Sequence, residues 1–295
     1  MNIAIYSRFL KPEHINTTQV LLDTLVEYDL NTYFFKDFFH SFQDNVKLPF
    51  ENIQTFSSYE DLKALDLDFF ITLGGDGTIL DAATLVRDLN IPIMGINLGR
   101  LGFLAMIQKQ NIEQAIQALQ NNNYVLDKRT LLYLESSESI FGDANFALND
   151  FTIHKRDTSS MVIIHTYLNG EFLNSYWADG IIIATPTGST GYSLSCGGPI
   201  IFPNSNNFVL TPVAPHNLSI RPIVIPDDAV LSFEIEGRSE NFLCTLDSRS
   251  RTIQSACQLA VRKADFTIQL VRSIDNNFPY MIREKLNWGI DSRNY

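Results

Sequence analysis

The sequence predicts an α/β domain with a parallel sheet, followed by a second domain built mainly of β-strands. Near the amino terminus, strand-like and helix-like patterns alternate. A strand, a glycine turn, a helix and another strand follow one another there in about 30 residues, the size of a βαβ crossover. From about Tyr124 onward, short β-rich runs succeed one another with few helical stretches between them, which indicates a separate β-sheet domain.

The order of these patterns places the individual elements. In the first part of the chain we expect strands at 3–6, 32–35, 69–73 and 91–96, and helices at 17–28, 78–89 and 112–120. In the second part we expect strands at 161–168, 180–184, 208–213, 229–236, 242–246, 259–263 and 266–271, and a final helix at 279–288. The predicted domains are therefore residues 1–123 and 124–273, followed by a carboxy-terminal segment at 274–295.

Composition narrows the classes of function. The 295 residues are 45% hydrophobic, enough for the cores of two domains. Lys and Arg number 22 against 33 Asp and Glu, and a net charge of −11 argues against a general binder of nucleic acid or anionic membranes. A protein this acidic must bind an anionic ligand locally, through backbone N–H groups, a metal ion or a few basic side chains.

Cysteine usage and hydropathy indicate a cytoplasmic protein. The three cysteines are far apart and form no Cys-x-x-Cys pair, so neither a disulfide framework nor a structural zinc site is expected. The amino terminus alternates like a strand and lacks the pattern of a secretory signal. No apolar run approaches the roughly 20 residues of a membrane span. We therefore expect a soluble cytoplasmic protein with no membrane partner.

The glycine turn at residues 73–78, Leu-Gly-Gly-Asp-Gly-Thr, is the first candidate site. A glycine turn that opens a helix is a common anion site, but this one has neither the Gly-x-Gly-x-x-Gly nor the Walker A pattern. A carboxylate at Asp76 would repel phosphate unless Mg²⁺ lies between them or the carboxylate takes a proton from a hydroxyl, and both readings indicate phosphoryl transfer. The alternative is an ordinary turn residue, or a cap for a helix that begins near Thr78. Spacing alone leaves both open.

Residues 185–195 form a second candidate, rich in hydroxyl groups. The strand at 180–184 stops before Pro186, and the hydroxyls of Thr187, Ser189, Thr190, Ser193 and Ser195 crowd around two glycines. Such a segment can bind sugar and phosphate oxygens without net charge. By itself the segment favours an ordinary Ser/Thr-rich turn. The Gly-x-Ser-x-Gly pattern of a serine nucleophile is absent.

Asn149 and Asp150 form a third candidate just before a predicted strand. Adjacent residues of an extended chain point to opposite faces, so both could face one ligand only if the backbone turns there. By itself the pair is more typical of a turn before a strand.

Five motifs in this order resemble the NAD kinase family, whose members phosphorylate the 2′-hydroxyl on the adenosine ribose of NAD. They are 73–78, the stretch Gly-Ile-Asn-Leu-Gly-Arg-Leu-Gly-Phe-Leu at 95–104, Leu-Asn-Asp at 148–150, Asp-Gly at 179–180 with 185–195, and Pro-His at 215–216 through Arg-Pro at 221–222. The resemblance implies an N-terminal Rossmann-like α/β domain, a C-terminal β-sandwich-like domain and a chain end that returns to the first domain. It also implies a homo-oligomer, a tetramer built from dimers.

The resemblance assigns roles to residues of this chain. It makes Asp76 the proton acceptor for the 2′-hydroxyl and ATP or polyphosphate the phosphoryl donor. Mg²⁺ or another divalent metal accompanies ATP, and no protein metal ligands are assigned. The expected ligand-binding residues are Gly74, Gly75, Gly77 and Thr78 in the phosphate loop; Asn149 and Asp150 on the adenosine side; Thr190, Gly191, Tyr192 and Ser195 along the dinucleotide pocket; Asp179 near the nicotinamide, acting across a subunit boundary; and Ser160, Trp177, Thr187 and Arg249 around the same pocket.

Three positions depart from the family pattern. Gly191 stands where the family usually has Ala, and Arg249 stands where it commonly has Gln. Trp177 lies at a place often occupied by Arg or Gly and linked to tolerance for NADH over NAD.

Two other functions fit parts of the pattern. A diacylglycerol or sphingosine kinase shares the Gly-Gly-Asp-Gly-Thr loop and a β-rich domain, but lacks the Thr-Pro-Thr-Gly-Ser-Thr segment and would carry a membrane-facing patch. A non-catalytic NAD sensor could use the same pocket, but would gain nothing from a carboxylate that faces phosphates.

Overall fold

The computed structural model describes residues 1–50, 52–156 and 161–288. The chain divides into two compact units: Met1–Lys128 together with the chain from Ile268 onward, and Arg129–Thr267. None of the helices in the described ranges is long and apolar enough to cross a membrane.

The first unit is built on a parallel sheet. Its strands are β1 (Asn2–Tyr6), β2 (Asn31–Phe35), β3 (Gln54–Phe56), β4 (Phe69–Gly74), β5 (Ile93–Asn97) and β6 (Ile107–Gln108). Its helices are α1 (Ile15–Glu27), α2 (Lys36–Phe42), α3 (Tyr59–Ala64), α4 (Asp76–Val86), α5 (Ile112–Gln120) and, near the carboxyl end, α7 (Phe278–Leu286). The main strands run parallel in the order β3-β2-β1-β4-β5. Their carboxyl ends therefore share one edge, where α/β sheets bind ligands.

The second unit contains two mainly antiparallel layers. Its strands are β7 (Val125–Ser136), β8 (Phe146–Ala147), β9 (Asp150–Lys155), β10 (Val162–Leu168), β11 (Glu171–Ala178), β12 (Gly180–Ala184), β13 (Asn207–Val213), β14 (Ile223–Pro226), β15 (Leu231–Gly237), β16 (Asn241–Leu246), β17 (Arg249–Gln254) and β18 (Leu259–Arg272), with the short helix α6 at Tyr192–Ser195. One layer is the six-stranded sheet β14-β13-β12-β9-β16-β17, and the other contains β11-β10-β15-β18. Strands β7 and β18 begin in one unit and end in the other.

A shared apolar core joins the two layers of the second unit. Phe151 and Ile183 from the six-stranded sheet and Ile164 and Phe233 from the other sheet belong to one buried cluster. The Phe151 and Phe233 rings lie 5.7 Å apart, centre to centre. The result is a sandwich-like arrangement in which each sheet covers one face of the core.

Most predicted elements are confirmed, and the differences have local causes. The helix predicted at 78–89 begins at Asp76 and ends at Val86, because Arg87 adopts a positive φ of 49° that ends the helix. The strands predicted at 259–263 and 266–271 form one strand, β18. The final helix, α7, begins at Phe278, one residue before the predicted start. Asn277 caps it, because its side chain accepts the Tyr280 N–H.

Candidate active site

The glycine turn lies at the carboxyl end of β4. Gly75 is the N-cap of α4, and its extended backbone (φ −103°, ψ −165°) leads directly into Asp76. A Cβ at Gly74 would lie 2.0 Å from the Oγ1 of the buried Thr78, so no larger residue fits there without a shift. The chain thus makes one tight turn into the helix, formed by Gly74, Gly75, Asp76, Gly77 and Thr78.

The Asp76 side chain does not cap α4. Its Oδ2 accepts the N–H of Phe103 at 2.9 Å, and its Oδ1 accepts the N–H groups of Leu104 and Ala105, both at 3.0 Å. The interpretation of Asp76 as a helix cap is therefore wrong. A carboxylate has about four acceptor sites, so these three bonds fix its orientation and leave a fourth site available.

The 99–105 loop is shaped to receive that carboxylate. A Cβ at Gly102 would lie 1.9 Å from the Asp76 Oδ1, so only glycine allows this approach. The buried Asn97 holds the start of the loop: its Nδ2 donates to the Arg100 carbonyl at 2.8 Å, and its Oδ1 accepts the Gly99 N–H at 2.7 Å.

In the second unit, the Asp247 carboxylate organises the Asn149–Asp150 pair. It accepts three successive backbone N–H groups, from Leu148 at 3.0 Å, Asn149 at 2.7 Å and Asp150 at 3.2 Å. The Asp247 N–H donates in return to the Asp150 carbonyl at 2.9 Å. Asp247 sits in the β16–β17 turn with a φ of 52°.

Asn149 and Asp150 face the same place. A Cβ at Gly191 would lie 3.7 Å from the Asp150 Oδ2 and 3.8 Å from the Asn149 Nδ2. In an extended strand successive N–H groups alternate in direction, whereas here three converge on one carboxylate, so the backbone turns at this point. The turn is what brings both side chains to one pocket.

The environment of Asp150 perturbs its titration. Burial, and then the nearby Asp247 carboxylate, raise the pKa of Asp150 to about 7. Burial also raises the pKa of Asp247, against the lowering effect of its backbone hydrogen bonds.

The hydroxyl-rich turn packs against the other side of Asn149. The Thr185 hydroxyl donates to the Leu148 carbonyl at 2.6 Å and accepts the Gly188 N–H at 3.0 Å. A Cβ at Gly188 would lie 2.0 Å from the Asn149 carbonyl oxygen. Thr187 is buried and accepts a bond from Arg129 at 3.3 Å, and the Thr190 hydroxyl donates to the Thr187 carbonyl at 3.1 Å. Part of the hydroxyl set thus builds the turn itself.

The remaining candidate residues that the structure describes lie at or near the surface of the second unit. Tyr192, the first residue of α6, is 42% exposed and stacks on His154, with ring centres 5.5 Å apart. Asp179 forms an ion pair with Lys155 at 2.6 Å, and Trp177 is 50% exposed. Ser195 is exposed at the end of α6. Ser160 lies outside the described residues.

Two models of known protein domains match this chain. Residues 3–124 match the model of the ATP-NAD kinase N-terminal domain, and residues 148–273 match that of the ATP-NAD kinase C-terminal domain. The chain belongs to the NAD kinase family.

Relatives in this family match along the whole chain. The NAD kinase of Cytophaga hutchinsonii is 48% identical over 295 residues, and that of Flavobacterium johnsoniae is 44% identical over 300; both alignments cover 100% of each chain. The Bacteroides fragilis NAD kinase is 40% identical over 293 residues, covering 99% of this chain and 100% of its own. The resemblance found in the sequence is confirmed.

Two solved structures share the fold. A yeast NADH kinase complexed with NADH has a TM-score of 0.88 and 24% identity, covering 98% of this chain and 88% of its own. An NAD kinase from Archaeoglobus fulgidus in complex with ATP has a TM-score of 0.75 and 22% identity, and the match covers 98% of this chain and 100% of its own. The predicted fold class is confirmed.

Arg249, the departure from the NAD kinase pattern, bonds to backbone in this structure. Its Nη1 donates to the Ala144 carbonyl at 2.5 Å, and its Nη2 donates to the Phe146 carbonyl. Its guanidinium also lies 5.7 Å from the ring centres of Phe141 and Phe146. Arg249 thus braces the segment that leads into Asn149.

Sequence reasoning missed several residues that shape this candidate site. Asp247 had a weak signal, because it lies two residues before Arg249, one of the departures from the family pattern, but its partners are 97 to 99 positions away. Asn97 and Gly102 lie inside the 95–104 motif, whose contact with Asp76 only the fold reveals. The Tyr192–His154 stack had no signal beyond two separate motifs.

Proposed function

We propose that this chain transfers the γ-phosphoryl group of ATP to the 2′-hydroxyl on the adenosine ribose of NAD, producing NADP, with Asp76 as the general base. The observation that supports this most is the Asp76 carboxylate, fixed by three N–H bonds at a glycine turn with one acceptor site left. The relatives named NAD kinase, and the solved NAD and NADH kinases with bound ATP or NADH, support the choice of substrates.

The transfer requires a base because an alcohol is a poor nucleophile. The 2′-oxygen forms a bond to the γ-phosphorus as the bond from that phosphorus to the β,γ-bridging oxygen breaks, and ADP leaves with that electron pair. The hydroxyl proton passes to the fourth acceptor site of Asp76. The three N–H bonds keep the carboxylate from rotating away during the transfer.

Mg²⁺ would arrive with the donor. This ion favours phosphate oxygens and water and takes one or two carboxylates at most. Within the described ranges no three His, Cys, Asp or Glu side chains gather into a metal site. Bound to the triphosphate, the ion would neutralise charge next to a turn that already contains a carboxylate.

The second unit would hold NAD. In this proposal Asn149 and Asp150 bind the adenosine, the turn at 187–191 and Tyr192 line the dinucleotide pocket, and Trp177 and Asp179 lie toward the nicotinamide. We propose the functional division predicted from the sequence: a nucleotide-binding domain at 1–123, an NAD-binding domain at 124–273 and a carboxy-terminal segment at 274–295. We also propose a cytoplasmic homo-oligomer, a dimer or tetramer, which light scattering of the purified protein would test.

The decisive experiment is Asp76→Asn. We expect the variant to bind NAD as the original protein does, by calorimetry without donor, while kcat falls about 10²- to 10⁴-fold. Asp88→Asn in the same unit is the matched control, since Asp88 bonds to Tyr59 and lies outside the turn. NADP production is measured with ATP, Mg²⁺ and NAD.

Two results would count against this proposal. Turnover of Asp76→Asn equal to that of the Asp88→Asn control would remove Asp76 as the base. Tight NAD binding by the unmodified protein, without NADP formation from any phosphate donor, would instead support the NAD sensor.

A further inference from the structure

The 99–105 loop, which orients Asp76, has no regular secondary structure of its own. It lies between β5 and β6 in the first unit, and Leu104 and Ala105 within it are buried. Buried backbone groups need hydrogen-bond partners, and an irregular loop must find most of them outside itself. The shape of this loop therefore depends on the elements that surround it.

The N–H groups and the carbonyl groups of the loop bind different partners. The N–H groups of residues 103–105 donate to Asp76. On the acceptor side, the Asn97 side chain donates to the Arg100 carbonyl at 2.8 Å and to the Ala105 carbonyl at 3.3 Å. Asn97, the last residue of β5, thus holds the loop near both of its ends.

The carboxy-terminal segment supplies two further donors. The Asn276 Nδ2 donates to the Met106 carbonyl, directly after the loop, at 3.3 Å. The Lys285 Nζ, in the last turn of α7, donates to the Leu101 carbonyl. Along the chain, these two acceptors lie on either side of the three N–H groups that bind Asp76.

An aromatic contact joins the same two segments. The Phe278 ring, at the start of α7, and the Phe103 ring have centres 6.5 Å apart and planes tilted by 47°. Aromatic rings at this separation attract each other. Because the Phe103 N–H donates to Asp76, this contact ties the part of the loop nearest the carboxylate to the helix.

The helix that makes these contacts is held in place by other residues. The Asn277 side chain caps its first turn by accepting the Tyr280 N–H at 2.9 Å, and the Met281 and Ile282 side chains are buried. Lys285 itself is exposed, so its bond to the loop is not needed to bury the helix. The loop therefore rests against a helix that is fixed independently of it.

We propose that the carboxy-terminal segment positions the base: Asn276, Phe278 and Lys285 hold the 99–105 loop where its three N–H groups converge on Asp76. Without these contacts the loop moves away from the carboxylate, which then rotates out of line with the 2′-hydroxyl. The three are positioning residues, since they act on Asp76 through the loop. The inference rests on the proposed function in taking Asp76 as the base, but the contact between loop and helix is testable without turnover.

The first test is Lys285→Met, which removes the ammonium group from an exposed side chain. We expect kcat with Mg²⁺-ATP and NAD to fall about tenfold while the KM of each substrate stays unchanged. Lys285→Arg, which keeps a donor, should recover most of the turnover. Arg283→Met is the matched control, because Arg283 is an exposed cation in the same helical turn and, among the described residues, its side chain has no bond to the loop.

The second test is hydrogen–deuterium exchange followed by mass spectrometry, which needs no activity. Peptides that cover 99–105 should exchange about tenfold faster in Lys285→Met and in Phe278→Ala than in Arg283→Met. Peptides from β1 and β4 should keep the parental rate, which shows that the first unit remains folded.

The third test combines Lys285→Met with Asp76→Asn. If the helix acts through the base, Lys285→Met should change the residual turnover of Asp76→Asn less than about twofold. A loss of the same size in both backgrounds would overturn the inference, because the helix would then act on another part of the site.

The outcomes separate this inference from the proposed function. If the unmodified protein forms no NADP from any donor, the proposed function fails, and the exchange rate of 99–105 alone decides whether the helix holds the loop. If NADP is formed and Lys285→Met keeps the kcat of Arg283→Met, the helix does not position the base. Equal exchange rates of 99–105 in Lys285→Met, Phe278→Ala and Arg283→Met would overturn the inference in either case.

Discussion

The titration of Asp150 offers a test of the pocket in the absence of ligand. Its pKa is about 7 in the folded protein, against an ordinary value of 3.8. Since the folded state holds this proton more tightly than the unfolded state, its contribution to stability is complete below pH 4 and is lost as the pH rises toward 7. The perturbation that removes this contribution is Asp150→Asn.

The magnitude follows from the gap between the two pKa values. From a pH at which Asp150 is protonated in both states to a pH above 7, the free energy of unfolding falls by roughly 4 kcal/mol. Near the sequence pI of about 4.8 the protein would precipitate, so the useful window begins at pH 5.5. Between pH 5.5 and pH 8 the expected loss is about 2 kcal/mol.

Urea unfolding at pH 5.5, 6.5, 7.5 and 8 would measure this loss. In a Trp288→Phe background, fluorescence comes from Trp177, which lies in the same unit as Asp150. We expect Asp150→Asn to flatten the pH dependence and to be more stable than the parent at pH 8. Asp143→Asn, an exposed site in the same unit, should keep the parental slope. Parallel slopes for the parent and Asp150→Asn would refute this account of the pocket.

Three further substitutions test the contacts that position the site. Gly102→Ala would place a Cβ 1.9 Å from the Asp76 Oδ1, so we expect kcat to fall about 100-fold while the NAD affinity measured by calorimetry stays unchanged. A normal kcat would show that the close contact between Gly102 and Asp76 does not position the carboxylate. Asp247→Asn leaves at least one backbone N–H of 148–150 without its acceptor. We expect the free energy of unfolding in urea to fall by about 1–3 kcal/mol and the Kd for NAD to rise. Unchanged NAD binding would show that other contacts position Asn149 and Asp150. Arg249→Gln shortens the side chain that donates to the Ala144 and Phe146 carbonyls. We expect thermal unfolding to show a decrease of about 1–3 kcal/mol in the free energy of unfolding. A variant as stable as the parent would show that these two hydrogen bonds do not stabilise the protein.

The fold was largely predictable because its signals are local. The apolar runs of β4 and β12 and the spacing of α5 identify these elements without any knowledge of their neighbours. Strand β17 was missed because its sequence is polar and largely exposed, and β11 because its apolar and polar residues do not alternate. In both cases the pairing partners decide the structure.

The site was predictable in its residue types but not in its geometry. The motifs pointed to Asp76, Asn149 and Asp150, yet the rule of alternating strand faces argued against the last two acting together. What overrides that rule is a carboxylate at Asp247, contributed by a distant turn. Likewise, the glycine at 102 has a reason only once Asp76 is seen beside it.

The sequence distance between these partners has a consequence for how the protein is made. Asp76 meets its loop 27 to 29 residues later, so both partners of these bonds are made before any of the second unit. The Asn149–Asp150 turn waits for Asp247, 97 to 99 residues downstream. Such long loop closures are slow. A nascent chain released before residue 247 would therefore contain both partners of the Asp76 contact but would lack the carboxylate that holds the Asn149–Asp150 turn.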